Sequence, residues 1–146
     1  DAITLSPPAG HFYLRDNGRP LLLVAGGTGL APFLAMLQSL AENARSDRPI
    51  RLLIGVNAAA EFFADAQLAE LAETLPLRVE RIAVSNEAWA GPTGYVTQLL
   101  RDDMVADSPD IYLCGPPAMI ESCSAWLVER GVDRRSIRAE KFLPST

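Results

Sequence analysis

Histidine is nearly absent from this chain: His11 stands alone among 146 residues. It lies in a turn-like Pro/Gly stretch and leaves no well-placed imidazole for general-base chemistry, so it is assigned a surface or packing role. Cysteine is almost as scarce. Cys114 and Cys123 are nine positions apart, which fits no zinc or iron–sulfur spacing and gives no disulfide framework, so no metal site is expected. The longest apolar runs, residues 21–25 and 52–56, fall far short of the roughly 20 residues needed to cross a bilayer. No signal-peptide pattern opens the sequence, and a cytoplasmic protein with no membrane partner is expected. Basic residues are outnumbered 13 to 18 and scattered, for a net charge of −5. That excludes the positive footprint of a nucleic-acid binder.

What the chain does have is apolar content, 49% of its residues, enough for the core of one domain of ordinary size. From residue 21 onward, short β-rich apolar runs alternate with amphipathic segments. This is the pattern of βαβ units, and it predicts a three-layer α/β fold with a parallel sheet of about five strands flanked by helices. Strands are predicted at 21–25, 52–56, 77–85 and 111–114, with a fifth strand or extended tail at 137–142. Helices are predicted at 31–44, 62–74, 95–101 and 118–130. Phe33, Leu34, Leu37 and Leu40 share one stripe, as do Leu68, Leu71 and Leu75. Trp126 falls at core spacing on the last helix, and Gly131 follows that helix as a C-cap. Residues 1–17 read differently, as a Pro-Pro-Ala-Gly turn, a short extended piece and a charged loop.

The strongest local signal is Leu21-Leu-Leu-Val-Ala-Gly26-Gly27-Thr28-Gly29-Leu30-Ala31-Pro32, a buried strand, a glycine turn and a helix start. Glycines let the backbone turn sharply and approach a ligand, and the helix N-terminus offers N–H groups and a positive dipole end to a pyrophosphate. Pro32 suits the first helical turn. It also occupies the third glycine position of the G-x-G-x-x-G fingerprint, so this is not the ordinary dehydrogenase version. A second signal follows the fourth strand: Tyr112-Leu113-Cys114-Gly115-Pro116-Pro117-Ala118-Met119. A thiol at a strand's carboxyl end is expected to face the crevice where open α/β sheets bind ligands, with Gly115 allowing close backbone approach.

Together, Gly-Gly-Thr-Gly-Leu-Ala-Pro and Cys-Gly-Pro-Pro-Ala-Met resemble the pyridine-nucleotide domain of the ferredoxin–NAD(P)H reductase superfamily. The resemblance extends over essentially the whole chain. Residues 8–14 look like the closing strand of that family's flavin barrel. Gly94-Tyr95-Val96-Thr97, residues 112–119 and Glu140-Lys141-Phe142 are most similar to reductase components of aromatic-ring-hydroxylating dioxygenases of the benzoate and anthranilate type. On that resemblance, residues 1–17 are the tail of a flavin-binding barrel and its linker, and residues 18–146 are the NAD-binding domain.

The resemblance implies hydride transfer from nicotinamide C4 to flavin N5, then single-electron delivery to an iron–sulfur centre. Gly26, Gly27, Thr28 and Gly29 would hold the pyrophosphate side, Thr28 reaching the nicotinamide half, with Leu30 and Pro32 opening the helix behind them. Cys114, the implied catalytic residue, would pack where the nicotinamide stacks on FAD, beside Gly115, Pro116 and Met119. Phe142 would lie near the flavin ring. The cofactors carry the hard chemistry and no general base is required. The family's Arg-x-Tyr-Ser flavin-binding segment and the four cysteines of a [2Fe–2S] centre are not in this sequence. The chain is therefore expected to be an excised domain, the favoured reading, or to work with separately encoded partners; either way it needs a flavin-binding domain, a ferredoxin-type iron–sulfur domain or protein and a terminal oxygenase. A module of the same fold that binds nucleotide without passing electrons is the alternative.

Selectivity is read where strand two ends, beside the adenosine ribose. No basic residue occurs between Arg51 and Arg78, while Glu61 and Asp65 are acidic; a 2′-phosphate would find no cation there, which favours NADH. Asn57, Glu61 and Phe62 are assigned to this end of the cofactor. Either acid also suits the first turn of a helix, and Phe62 or Phe63 suits a core as well as an adenine.

Overall fold

A computed structural model of the protein describes residues 18–43 and 47–141. Five strands, β1 (Leu21–Gly26), β2 (Ile50–Val56), β3 (Leu77–Ala83), β4 (Asp110–Gly115) and β5 (Ile137–Lys141), form one sheet in the order β3-β2-β1-β4-β5. All four pairings are parallel. Three helices, α1 (Leu30–Asn43), α2 (Asp65–Thr74) and α3 (Pro117–Glu129), complete the expected three-layer α/β architecture. Both the assignment of residues 1–17 to a barrel tail and the position of Phe142 lie outside the described residues.

β1 is the centre of the molecule because it has no polar face: all six of its residues are buried. Successive side chains of a strand point to opposite faces. Leu21, Leu23 and Ala25 therefore enter the core beneath α1 and α2, and Leu22 and Val24 enter the one beneath α3. The predicted α1 stripe, Phe33, Leu34, Leu37 and Leu40, is buried in the first core, together with Leu68 and Leu71 of α2 and the following Leu75. Ile120, Cys123 and Leu127 of α3 fill the second, with Trp126 half-buried against it. At the opposite end from the strands' carboxyl termini, Arg48 bridges two strand starts. Its guanidinium reaches Asp110 at 2.9 Å and donates to the Arg19 carbonyl at 2.6 Å.

Two helix predictions are corrected. The 62–74 helix begins only at Asp65, because Phe62 is extended (ψ 139°) and Ala64 takes a left-handed conformation (φ 67°) that no α-helix continues from. Residues 95–101 form no α-helix. A 3₁₀ turn, Val96–Leu99, is followed by an extended Leu100 (ψ 136°) and a second 3₁₀ turn, Asp102–Met104. The connection lies directly on the sheet, since a Cβ on Gly55 would come within 2.7 Å of the Val96 Cβ, and that approach leaves no room for a full helix diameter. β3 also ends two residues before predicted, although Val84 and Ser85 still donate to the carbonyls of Val56 and Asn57. Among the described residues no helix is long and apolar enough to cross a membrane.

Candidate functional site

In the strand order, the chain builds outward from β1 through β2 to β3, then crosses to β4 on the other side of β1. Such a reversal leaves a crevice at the strands' carboxyl ends, the usual ligand position in open α/β sheets. A cleft of about 470 Å³ opens there, within the range of small-molecule and cofactor sites. Its floor comes from Gly26 and Gly27 after β1 and from Gly55, Val56 and Asn57 at the end of β2. Val84, Tyr95, Val96 and Thr97 form one wall, and Pro116, Ala118, Met119 and Ser122 at the start of α3 form the other.

The glycines have separate jobs. Gly27 holds φ +56°, and a Cβ there would meet nothing within 4 Å, so its main chain is open to whatever enters the cleft. A Cβ on Gly26 would come within 2.5 Å of the Met119 sulfur, and one on Gly115 within 3.0 Å of it. Met119 is thus seated on both strand ends. Gly29 is buried, and its Cβ would overlap the Cys114 carbonyl; it serves the close packing of turn against strand. No side chain caps the 3₁₀ turn at Gly26 or α3 at Pro116. At α3, Pro116 and Pro117 carry no N–H and the Ile120 N–H bonds the Pro116 carbonyl, so Ala118 and Met119 hold the main-chain donors of that first turn.

Glu61 is the only charged residue among the described residues lining the cleft. It does not open a helix: it lies in a 3₁₀ turn, Ala59–Glu61, where its carboxylate accepts the Asn57 N–H at 3.0 Å. Tyr95 is 68% exposed although it is a large aromatic. Gln98 holds the turn beneath it, accepting the Tyr95 N–H through Oε1 at 2.7 Å and donating its own N–H to the Tyr95 carbonyl at 2.9 Å.

Of the residues predicted from sequence, Gly26, Gly27, Asn57, Glu61, Pro116 and Met119 meet in this cleft. Thr28 is exposed beside it. Leu30 is core and Pro32 half-buried in the first turn of α1. Phe62 does not line the cleft but stacks on Trp89, with ring centroids 4.9 Å apart. Cys114 does not face the crevice either. Its side chain is fully buried in the core beneath α1, and burial, reinforced by the charge of Glu140, pushes its pKa up to about 12. Tyr95 is a cleft residue beyond those predicted; the signal in the sequence is the Gly94-Tyr95-Val96-Thr97 stretch that carries part of the resemblance. Among the described residues no group of three His, Cys, Asp or Glu side chains is placed to hold a metal.

The family model for the oxidoreductase NAD-binding domain matches residues 23–125. The chain is 41% identical over 148 residues to the 2-halobenzoate 1,2-dioxygenase electron transfer component of Burkholderia cepacia, covering 99% of this chain and 44% of that protein. To the anthranilate 1,2-dioxygenase electron transfer component of Acinetobacter baylyi it is 37% identical, covering 98% and 42%. The fold matches the crystal structure of the FAD/NAD-binding domain of nitric oxide dioxygenase from Vibrio cholerae O1 biovar El Tor, with a TM-score of 0.75 at 26% identity, over 93% of this chain and 56% of that one. The chain thus spans less than half the length of the curated relatives it matches.

Proposed function

The chain belongs to the family of oxidoreductase NAD-binding domains, and on that premise we propose that it binds NADH for a flavin-dependent reductase of the ferredoxin-reductase type. In this reading the hydride passes to FAD held by a flavin-binding domain. Electrons then go to a [2Fe–2S] ferredoxin-type domain or protein and on to the terminal oxygenase of an aromatic-ring-hydroxylating dioxygenase, in the cytoplasm. The names of the relatives support the electron-transfer role. The observation that carries the cofactor assignment is the cleft: Gly27 main chain facing open space at the sheet's reversal point, with Glu61 as the only charged residue among the described residues that line it.

The residues present suit such a ligand. Gly27 and the uncapped start of α3 at Pro116 would receive the pyrophosphate. Asn57 and the fixed carboxylate of Glu61 would take the adenosine ribose hydroxyls, and the exposed ring of Tyr95 offers a stacking face for adenine. Among the described lining residues a 2′-phosphate would meet Glu61 and no cation, which supports NADH over NADPH. The bound cofactors supply the hydride and its acceptor. Cys114 keeps its proton at neutral pH and its side chain lies in the core, so it supports the strand end behind the cleft rather than touching or attacking the nicotinamide. Phe142 is assigned to the flavin side.

Amide NMR titration of the chain with NAD⁺ and NADP⁺ tests the reading. Shifts at Gly26, Gly27, Asn57 and Gly115 with NAD⁺, and much smaller ones with NADP⁺, are expected. Shifts confined to other parts of the molecule would overturn the site, and equal responses to both would overturn the selectivity.

A further inference from the structure

The connection after β3 carries an anchored tryptophan. Residues 84–95 leave the end of β3 and return to it: Gly94 N–H donates to the Ala83 carbonyl at 2.9 Å, and Ala83 N–H donates to the Pro92 carbonyl at 3.3 Å. That Pro92 carbonyl also accepts the indole N–H of Trp89, at 2.6 Å. The indole lies so close over Gly91 that a Cβ there would overlap the ring. Trp89 also packs on Phe62, with ring planes tilted by 44°, and both side chains are half-buried against the core beneath α1 and α2. One side chain therefore joins two segments that are distant in sequence. Pro92 leads through Thr93 and Gly94 to Tyr95, and Phe62 directly follows Glu61. Tyr95 and Glu61 both line the cleft; their segments meet at Val84 and Ser85, which donate to Val56 and Asn57, and again at the far end of the connection, where Trp89 joins the Pro92 corner to Phe62.

We propose that Trp89 is a positioning residue: by holding the Pro92 corner against Phe62 it fixes the spacing of Tyr95 from Glu61, and so sets the affinity for the adenosine half of a dinucleotide. The inference rests on the assignment of the cleft to NADH. It distinguishes the two halves of the ligand, because Gly27, Pro116 and Met119 are held by β1, β4 and α3 and owe nothing to Trp89. Aromatic pairs and buried indole hydrogen bonds of this kind are specific in geometry, so truncation should release the loop without opening the sheet.

The test measures binding of 5′-AMP and of nicotinamide mononucleotide to the chain by amide shifts, for the unaltered protein and for Trp89→Ala, Trp89→Phe and Gly91→Ala. Trp89→Ala should bind AMP about tenfold more weakly, with nicotinamide mononucleotide binding unchanged. Trp89→Phe should recover part of the loss, since it keeps the stack on Phe62 but not the bond to Pro92. Gly91→Ala keeps the tryptophan but displaces it, and should reproduce the selective loss even if Trp89→Ala folds poorly. AMP affinity unchanged in both Trp89→Ala and Gly91→Ala, or a loss shared equally by both ligands, would overturn the positioning role alone. Failure of the unaltered chain to bind AMP in the cleft would instead remove the NADH assignment, and this inference with it.

Discussion

The α-carbon of Gly29 lies against the carbonyl of Cys114, so that the turn after β1 and the end of β4 meet main chain to main chain. A side chain at Gly29 would have to push β4 away from the sheet's central strand. Gly27, two residues earlier, would instead point a side chain into open space at the cost of a left-handed φ. The two glycines should therefore separate stability from binding. Gly29→Ala is expected to lose about 3 kcal/mol in urea unfolding, the upper range for overpacking. Gly27→Ala should lose about 1 kcal/mol, from backbone strain, yet bind NAD⁺ markedly more weakly. A Gly27→Ala protein with full NAD⁺ affinity would show that the dinucleotide does not approach this main chain.

Both thiols are buried on opposite faces of the sheet, Cys114 beneath α1 and Cys123 on the inner face of α3. Burial raises the pKa of each, and Cys114 is driven to about 12. Since the thiolate is the reactive form, iodoacetamide at pH 8 should label neither residue in the folded chain and both in urea. Mass spectrometry after a timed exposure reads this directly. Rapid native labelling of Cys114 would mean that its thiol reaches the crevice after all. The folded state also keeps the Cys114 proton above the ordinary value of 9.0. Stability should therefore decline as pH rises from about 9 toward 12, where the unfolded chain ionises and the folded one does not.

The glycine turn, the strand cores and the α1 stripe could be read from sequence because each depends on local chemistry or on a short period. The facing of Cys114 could not. In a strand buried on both sides every residue is apolar, so nothing in the pattern says which face a given side chain takes until the sheet order is known. The late start of α2 had a similar cause: Ala64 adopts a left-handed conformation that tertiary packing imposes and alanine does not signal. Contacts made across sequence, Phe62 with Trp89 and Val96 with Gly55, were equally silent. They decide why Phe62 is not a cleft residue and why 3₁₀ turns rather than an α-helix connect β3 to β4.

Glu61 offers a prediction on selectivity. Its carboxylate is held by the Asn57 N–H at 3.0 Å and is the only charge among the described lining residues. Replacing it with lysine exchanges repulsion of a 2′-phosphate for attraction. Glu61→Lys should raise the ratio of NADP⁺ to NAD⁺ affinity about tenfold or more, or upwards of roughly 1.4 kcal/mol, measured by parallel titration with both nucleotides. An unchanged ratio would place the ribose elsewhere.

Glu140 sits in register with Cys114 across β4 and β5, and its Oε1 is buried without a hydrogen-bond partner. Burial raises its pKa above the ordinary 4.5, and its charge in turn raises that of Cys114. Folding therefore favours the protonated carboxyl, so stability from this site is greatest at acid pH and is lost as pH rises from the ordinary carboxylate value through the raised one. Glu140→Gln removes the ionisation while keeping the shape. It should be more stable than the unaltered chain at neutral pH, because the desolvated carboxylate charge is gone while the polar atom stays, and little different below about pH 4. The decline of stability above the carboxylate range should flatten. Urea unfolding of both proteins across this span measures the difference in slope, and superimposable curves would mean that the Glu140 charge is solvated in the folded state.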